Sequence, residues 1–253
     1  MGKQRIDKLL VERDLAGSRE RARALILAGR VLVDDTPVTK AGTMVAEDAA
    51  LRLRGEDLPY VSRGGLKLEG ALEDLELDVS GMVVLDVGAS TGGFTDCCLK
   101  RGATRVYAVD VGRGQLDWSL RNDPRVVCLE RTNARHLIPS MLPGPADLAV
   151  IDVSFISLTK LLEPVRACLA APARVLAMVK PQFEVGRDRV GKGGVVRDEA
   201  DRQSAVQKVI AFAEGIGLEL RGRADSRVAG PKGNLEVFVH LVEGGASEDR
   251  DRE

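Results

Sequence analysis

Aromatic residues are scarce: one tryptophan, two tyrosines and five phenylalanines in 253 residues. That excludes a binding surface built mainly on base-stacking rings. The four cysteines, Cys97, Cys98, Cys128 and Cys168, form no Cys-x-x-Cys pair, and adjacent Cys97 and Cys98 make a poor disulfide. Reduced thiols in a cytoplasmic protein, with no zinc or other metal centre, are the expectation. The longest stretch without a formal charge, from His136 to Ala146, contains three prolines and is too short to span a bilayer. The N-terminus, Met-Gly-Lys-Gln-Arg-Ile-Asp, lacks the apolar core of a signal peptide. Ile6 stands where a myristoylation signal needs Ser or Thr. An excess of either charge is also missing: 37 Lys and Arg face 38 Asp and Glu. A whole-surface polycation that coats nucleic acid is thereby excluded. What remains, 44% hydrophobic and 30% charged, is globular composition.

The near-zero sum hides a sorting. Residues 1–30 carry eight Lys/Arg and four Asp/Glu, whereas residues 31–60 carry three and six. Ile6, Leu9, Leu10 and Arg13 follow a helical spacing that Asp14-Leu15-Ala16-Gly17 breaks. Ser18 is a cap for a second helix, Arg19 to Ala28, with Ala22, Leu25 and Ile26 on its apolar face and Gly29 as its stop. Val31–Val33, a turn at Asp34-Asp35-Thr36-Pro37, and Val38 read as a hairpin; Val45 and Leu51–Leu53 offer further strands. The pattern Arg5-Ile6-Asp7, Ser18-Arg19-x-x-Ala22, Leu25-Ile26-x-x-Gly29-x-Val31-x-Val33 resembles the RNA-binding domain named after a small-subunit ribosomal protein. The resemblance implies cations presented to RNA phosphates, with Arg5, Lys8, Arg19, Arg21, Arg23 and Arg30 as candidates; singly, each reads as a solvated basic side chain.

Residues 1–58 are therefore assigned to an RNA-binding domain and 59–62 to a linker. Residues 63–243 form a catalytic domain, and 244–253 a disordered tail. Strand candidates are Val83–Val87, Arg105–Val109, Val126–Leu129, Leu148–Asp152, Arg174–Val179, Glu219–Arg223 and Leu235–Val242. Helical stretches between them include Gly92–Arg101, Ser157–Leu169 and Glu199–Gly215. The alternation predicts an α/β fold: a Rossmann-like, doubly wound, mostly parallel sheet whose last strands are antiparallel, beside a small α+β domain.

The first of these strands runs into Asp86-Val87-Gly88-Ala89-Ser90-Thr91-Gly92-Gly93-Phe94-Thr95, a glycine-rich turn that lets backbone approach a ligand. A dinucleotide fingerprint needs Gly-x-Gly-x-x-Gly, and the second glycine is missing. The spacing instead resembles S-adenosylmethionine methyltransferases, with Ser90 at a position where glycine is commoner. Asp110 ends the next strand, where an acid accepts both ribose hydroxyls of a nucleoside cofactor; NAD would use the same acid.

Together with Val61-Ser62-Arg63-Gly64-Gly65-Leu66-Lys67-Leu68, Val109-Asp110-Val111-Gly112, Glu130-Arg131-Thr132-Asn133-Ala134-Arg135 and Asp152-Val153-Ser154-Phe155-Ile156-Ser157, these motifs resemble the TlyA family across almost the whole chain. Its members are bacterial ribosomal RNA 2′-O-methyltransferases, sometimes called haemolysins, with an FtsJ-class catalytic domain. The resemblance implies a Lys67–Asp152–Lys180–Glu236 catalytic tetrad and S-adenosylmethionine held by Asp86, Gly88, Ala89, Ser90, Thr91, Gly92, Gly93, Phe94, Asp110 and Asn133. Phe94 and Phe155 fit a pocket wall or the core equally, and Asn133 also suits a turn. In isolation, each tetrad residue would read as a surface salt bridge. Arg63 and the loop residues Arg187, Arg189 and Lys192 are further candidates for RNA contact, and His136 and His240 receive no role. The expected activity is methylation of a ribose 2′-hydroxyl, of cytidine, in ribosomal RNA, with ribosomal subunits as partners. A non-catalytic RNA-binding factor, a membrane-acting cytolysin and a nucleotide-dependent dehydrogenase are the rivals. The oligomeric state is not legible.

Overall fold

In the computed structural model, the described residues are 2–27, 29–54, 58–230 and 233–244, without the side chain of Arg187. The predicted tail beyond Gly244 lies outside them. The chain divides into two units, Met1–Leu58 and Pro59–Glu253.

The first unit is built from β1 (Lys3–Arg5), α1 (Ile6–Glu12), α2 (Arg19–Leu27), β2 (Val31–Val33), β3 (Thr36–Val38), β4 (Met44–Ala46) and β5 (Leu51–Leu53). The two helices bury Ile6, Leu9, Leu10, Ala22, Leu25 and Ile26 in one small core with Val31 and Val45. Ser18 caps α2, its hydroxyl accepting from the Arg21 amide at 3.1 Å, and Gly29 follows in the left-handed region at φ +66°. Asp34 and Asp35 both take positive φ and form a two-residue hairpin turn. The strand then resumes at Thr36, not Val38. Pro37 is tolerated there because β3 is an edge of the β3-β2-β5 sheet.

The second unit contains α3 (Arg63–Asp74), β6 (Val83–Val87), α4 (Gly93–Lys100), β7 (Arg105–Val109), α5 (Trp118–Arg121), β8 (Val126–Leu129) and β9 (Leu148–Ile151). It continues with α6 (Leu162–Arg166), β10 (Arg174–Val179), α7 (Pro181–Glu184), α8 (Glu199–Gly215), β11 (Leu218–Asp225) and β12 (Val237–Glu243). Seven strands form one sheet in the order β11-β12-β10-β9-β6-β7-β8. From β10 to β8 it is parallel, and β12 is antiparallel to both neighbours. Strand alternation sorts the core. Leu85, Val87, Ala149, Ile151, Val175 and Ala177 face α6 and α8. Val84, Val106, Val150, Leu176 and Met178 face α3, α4 and α5. The predicted helix over Ser157–Leu169 is instead a 3-10 turn at Leu158–Lys160 followed by α6. Pro164 explains the break: it offers no N–H, and its ring would clash with the Lys160 carbonyl in a continuous helix.

Residues 60–62, read as linker, belong to this unit's packing. Tyr60 is buried, its hydroxyl donating to Glu69 at 2.7 Å. The Val61 amide donates to Asp96 at 2.9 Å, and Ser62 caps α3 through the Gly64 amide.

Candidate active site

The chain leaves β6 toward β7 and β8 on one side, then returns to place β9 and β10 on the other. The carboxyl ends of β6 and β9 therefore flank a switch point, where a crevice opens in such sheets. Gly88, at φ +89°, lies so close to the next strand end that a Cβ would sit 2.4 Å from the Asp152 carbonyl. Only glycine permits that approach. Three cavities meet here.

The largest, about 490 Å³, is lined by Gly88, Ser90, Asp110, Asn133, Asp152 and Phe155, among others. The Asp110 carboxylate accepts from the Ser90 amide at 2.8 Å and the Gly112 amide at 2.7 Å, tying the glycine turn to the end of β7. Asn133 caps the 3-10 turn Ala134–His136 while lining the cavity, so both sequence readings apply to it. The second cavity, about 370 Å³, is lined by Arg63, Lys67, Gly88–Thr91, Gly93, Phe94, Asp152 and Lys180. Phe94 also packs in the core, 6.1 Å from the Phe238 ring. The third, about 270 Å³, holds Phe155, Lys180, Gln182, Phe183, Asn234 and Glu236 in its wall.

The four tetrad positions converge as two ion pairs. Lys180 Nζ lies 2.5 Å from Asp152 Oδ1 and donates to the Ser154 hydroxyl at 3.1 Å. Lys67 Nζ donates to Glu236 Oε2 at 2.5 Å. Lys67, Asp152 and Lys180 share the second cavity; Lys180 and Glu236 share the third. Glu236 Oε1 is buried with no hydrogen-bond partner.

Asp86 stands apart. It lines none of these cavities but lies fully buried behind the glycine turn, where its Oδ2 accepts from the Thr95 hydroxyl at 2.6 Å and its Oδ1 has no partner. Burial, opposed by the Thr95 bond and reinforced by Asp152 and Asp110, pushes its carboxyl up to about 7. Ser154 and Gln182 were not singled out from the sequence. Ser154 belongs to the Asp152-Val153-Ser154-Phe155 motif, which is its only sequence signal; Gln182 has none beyond its proximity to Lys180.

Of the loop cations, Arg189 pairs with Asp201 at 3.2 Å and Lys192 is exposed. The Arg187 side chain lies outside the described residues. In the first unit, Arg5, Arg19 and Arg23 gather over the fully buried Asp7, at 2.9, 3.2 and 3.6 Å. The Arg5 hydrogen bond leads in drawing the Asp7 carboxyl down to about 2. Lys8 is exposed, and Arg30 donates to the Arg54 carbonyl at 3.1 Å.

Strand order, glycine turn and switch-point crevice define a Rossmann-like methyltransferase fold. Residues 60–243 match the FtsJ-like methyltransferase family and residues 4–51 the S4 domain. The 16S/23S rRNA (cytidine-2′-O)-methyltransferase TlyA of Mycobacterium tuberculosis is 49% identical over 238 residues, spanning 94% of this chain and 89% of the relative. Hemolysin A of Brachyspira hyodysenteriae is 38% identical over 239 residues, spanning 94% and 99%. A solved structure of a candidate hemolysin from Streptococcus thermophilus superposes with a TM-score of 0.74 at 43% identity, covering 96% of this chain and 89% of that one. The chain belongs to the TlyA family of FtsJ-like methyltransferases. No described helix is long and apolar enough to cross a membrane. Among the described residues no group of three or more His, Cys, Asp or Glu is placed to hold a metal ion.

Proposed function

We propose that the protein transfers a methyl group from S-adenosylmethionine to a ribose 2′-hydroxyl, that of a cytidine in ribosomal RNA. The observation that carries this reading is the convergence of Lys180–Asp152 and Lys67–Glu236 on adjoining cavities at the switch point. The cytidine and the ribosome come from the Mycobacterium relative's own activity, at an identity and coverage that favour a shared substrate.

The residues present fit that cofactor. Asp110 and Asp152, at the strand ends on either side of β6, both line the largest of the three cavities, while Asp86 lies buried behind the turn between them. Such a site suits a ligand bearing positive charge and opposes a pyrophosphate, which disfavours a dinucleotide. Asp110 and Asn133 would hold the nucleoside, and the backbone of Gly88–Gly93 would hold the amino-acid part, with Asp86 acting through the turn it supports. S-adenosylmethionine, when bound, supplies an electrophilic methyl group on a sulfonium whose departure leaves a neutral thioether.

The remaining work falls to the protein. Lys180 meets the 2′-hydroxyl: as a neutral amine it takes the hydroxyl proton, and as an ammonium it stabilises the negative charge that develops on the oxygen. Asp152 and Ser154 hold Lys180 in place. The Lys67–Glu236 pair, whose members line the same two cavities as Lys180, orients the ribose. Arg63, Arg187, Arg189 and Lys192 engage phosphates near this site. Arg5, Lys8, Arg19, Arg21, Arg23 and Arg30 do so on the S4-type unit. Such an enzyme works where ribosomes are, in the cytoplasm.

The test is Lys180→Met. Mass spectrometry of ribosomal RNA treated with this variant should find the 2′-O-methyl mark absent, while calorimetry still detects cofactor binding. Retained turnover would refute the assignment of Lys180.

A further inference from the structure

The hydrogen-bond ladder between β9 and β10 ends at Ile151–Ala177, before either strand reaches its reactive residue. Asp152 and Lys180 therefore project from two segments that do not pair directly with each other, although the Asp152 amide donates to the Val87 carbonyl and Val179 pairs with Val237. Side-chain links add to what sets their 2.5 Å contact. Besides the Asp152–Lys180 pair, the Lys180–Ser154 hydrogen bond at 3.1 Å and a tilted Phe155–Phe183 ring contact at 5.2 Å, the side chain of Glu184 ties the two segments together.

Glu184 ends α7, the short helix that begins directly after Lys180. Its side chain is 1% exposed, although it is a carboxylate. Oε2 accepts from the Ser157 hydroxyl at 2.6 Å and Oε1 from the Leu158 amide at 2.7 Å. Both partners lie on the segment that carries Asp152 and Ser154. On the other side, Lys208 of α8 donates to the Glu184 carbonyl at 2.7 Å and lies 3.5 Å from Oε2. Burying a carboxylate is unfavourable unless its oxygens are satisfied, and here both are. Between Asp152 and the linked Ser157 stands Phe155, which is 91% exposed and held at φ +67°. A phenylalanine prefers neither condition, so the segment's conformation is imposed from outside it.

We propose that Glu184 is a positioning residue for the methyl transfer: a buried latch that fixes the Asp152–Phe155 segment against α7 and so sets the Asp152–Lys180 pair. It lines none of the three cavities and touches no reacting group. The proposal rests on the methyltransferase reading above. Misplacing a reacting group by about 1 Å can reduce the rate about a hundredfold.

The experiment compares wild type, Glu184→Leu, Glu184→Gln and Ser157→Ala in steady-state methylation of ribosomal RNA, with thermal unfolding and calorimetric cofactor binding alongside. Glu184→Leu should lower kcat about a hundredfold, with KM for RNA little changed, in protein that is folded at the assay temperature. Glu184→Gln keeps an acceptor for Leu158 and a partner for Ser157, and should recover most of that loss. A role confined to stability would lower the melting temperature and leave kcat of the folded protein at the wild-type value; that result overturns the proposal. If Glu184→Leu does not fold, Ser157→Ala decides: it removes one of the two bonds, and an unchanged kcat overturns the latch equally. Wild-type protein that methylates no RNA would instead overturn the activity on which the latch rests.

Discussion

Asp86 makes the second unit's stability depend on pH in an unusual direction. Its carboxyl is fully buried, is hydrogen-bonded by Thr95, and has Asp110 and Asp152 for charged neighbours. The acid therefore holds its proton up to about pH 7, whereas an unfolded chain releases it near 3.8. Between those values the native state binds a proton that the unfolded state has lost, so stability falls as pH rises and levels off above 7. The whole window is worth at most ~4 kcal/mol, because relaxation of the turn and entry of water reduce the burial penalty. Asp86→Asn keeps the shape and removes the titration. Its new amide group occupies the unpartnered position at every pH, which adds an offset but no slope. From pH 5 to pH 8 the variant should gain about 3 kcal/mol relative to wild type. All eight aromatic residues lie beyond residue 59, so near-ultraviolet circular dichroism reports the second unit alone. Urea unfolding of both cofactor-free proteins at the two pH values measures the difference. Parallel dependence on pH would refute the reasoning.

Lys67→Met leaves Glu236 buried without its counter-charge and should destabilise the protein by about 3–5 kcal/mol in denaturant titration; adding Glu236→Gln should restore much of that. Asp110→Ala releases the Ser90 and Gly112 amides and removes the proposed nucleoside contact, and calorimetry should show at least about tenfold weaker cofactor binding. Asp7, with its folded-state value lowered to about 2, contributes stability present above about pH 4 and lost as pH falls toward 2; Asp7→Asn should flatten that acid limb of the unfolding curve. Lys8→Ala should weaken RNA binding regardless of sequence and reduce the slope of log affinity against log salt by about 1.

How far these features were legible in the chain differs by kind. Strands such as Val83–Val87 and Arg105–Val109 are apolar runs that end in a glycine turn or an acid, and local pattern suffices to place them. The partnership of Lys67 with Glu236 is different: 169 positions separate the two, and only the closing of β12 onto β10 brings them together. Each motif could be recognised, but its pairing could not. Asp86 shows a signal that was available and unused. Val84 and Asp86 alternate with Leu85 and Val87, so Asp86 must point with Val84 toward the α4 layer, beneath the turn and away from the crevice. Its place behind the glycine turn, outside the crevice proposed for the cofactor, follows from strand geometry alone. In the sequence the arginines of the first unit stand out as a basic cluster, eight Lys/Arg against four Asp/Glu in residues 1–30, with no sign of what holds them together. Packing puts a buried carboxylate under three of them, so Arg5, Arg19 and Arg23 form one preorganised array. An array held this way keeps its cations together before a phosphate arrives, which lowers the ordering entropy that binding must overcome. Charge counting cannot reveal that, because Asp7 subtracts from the sum while organising the array.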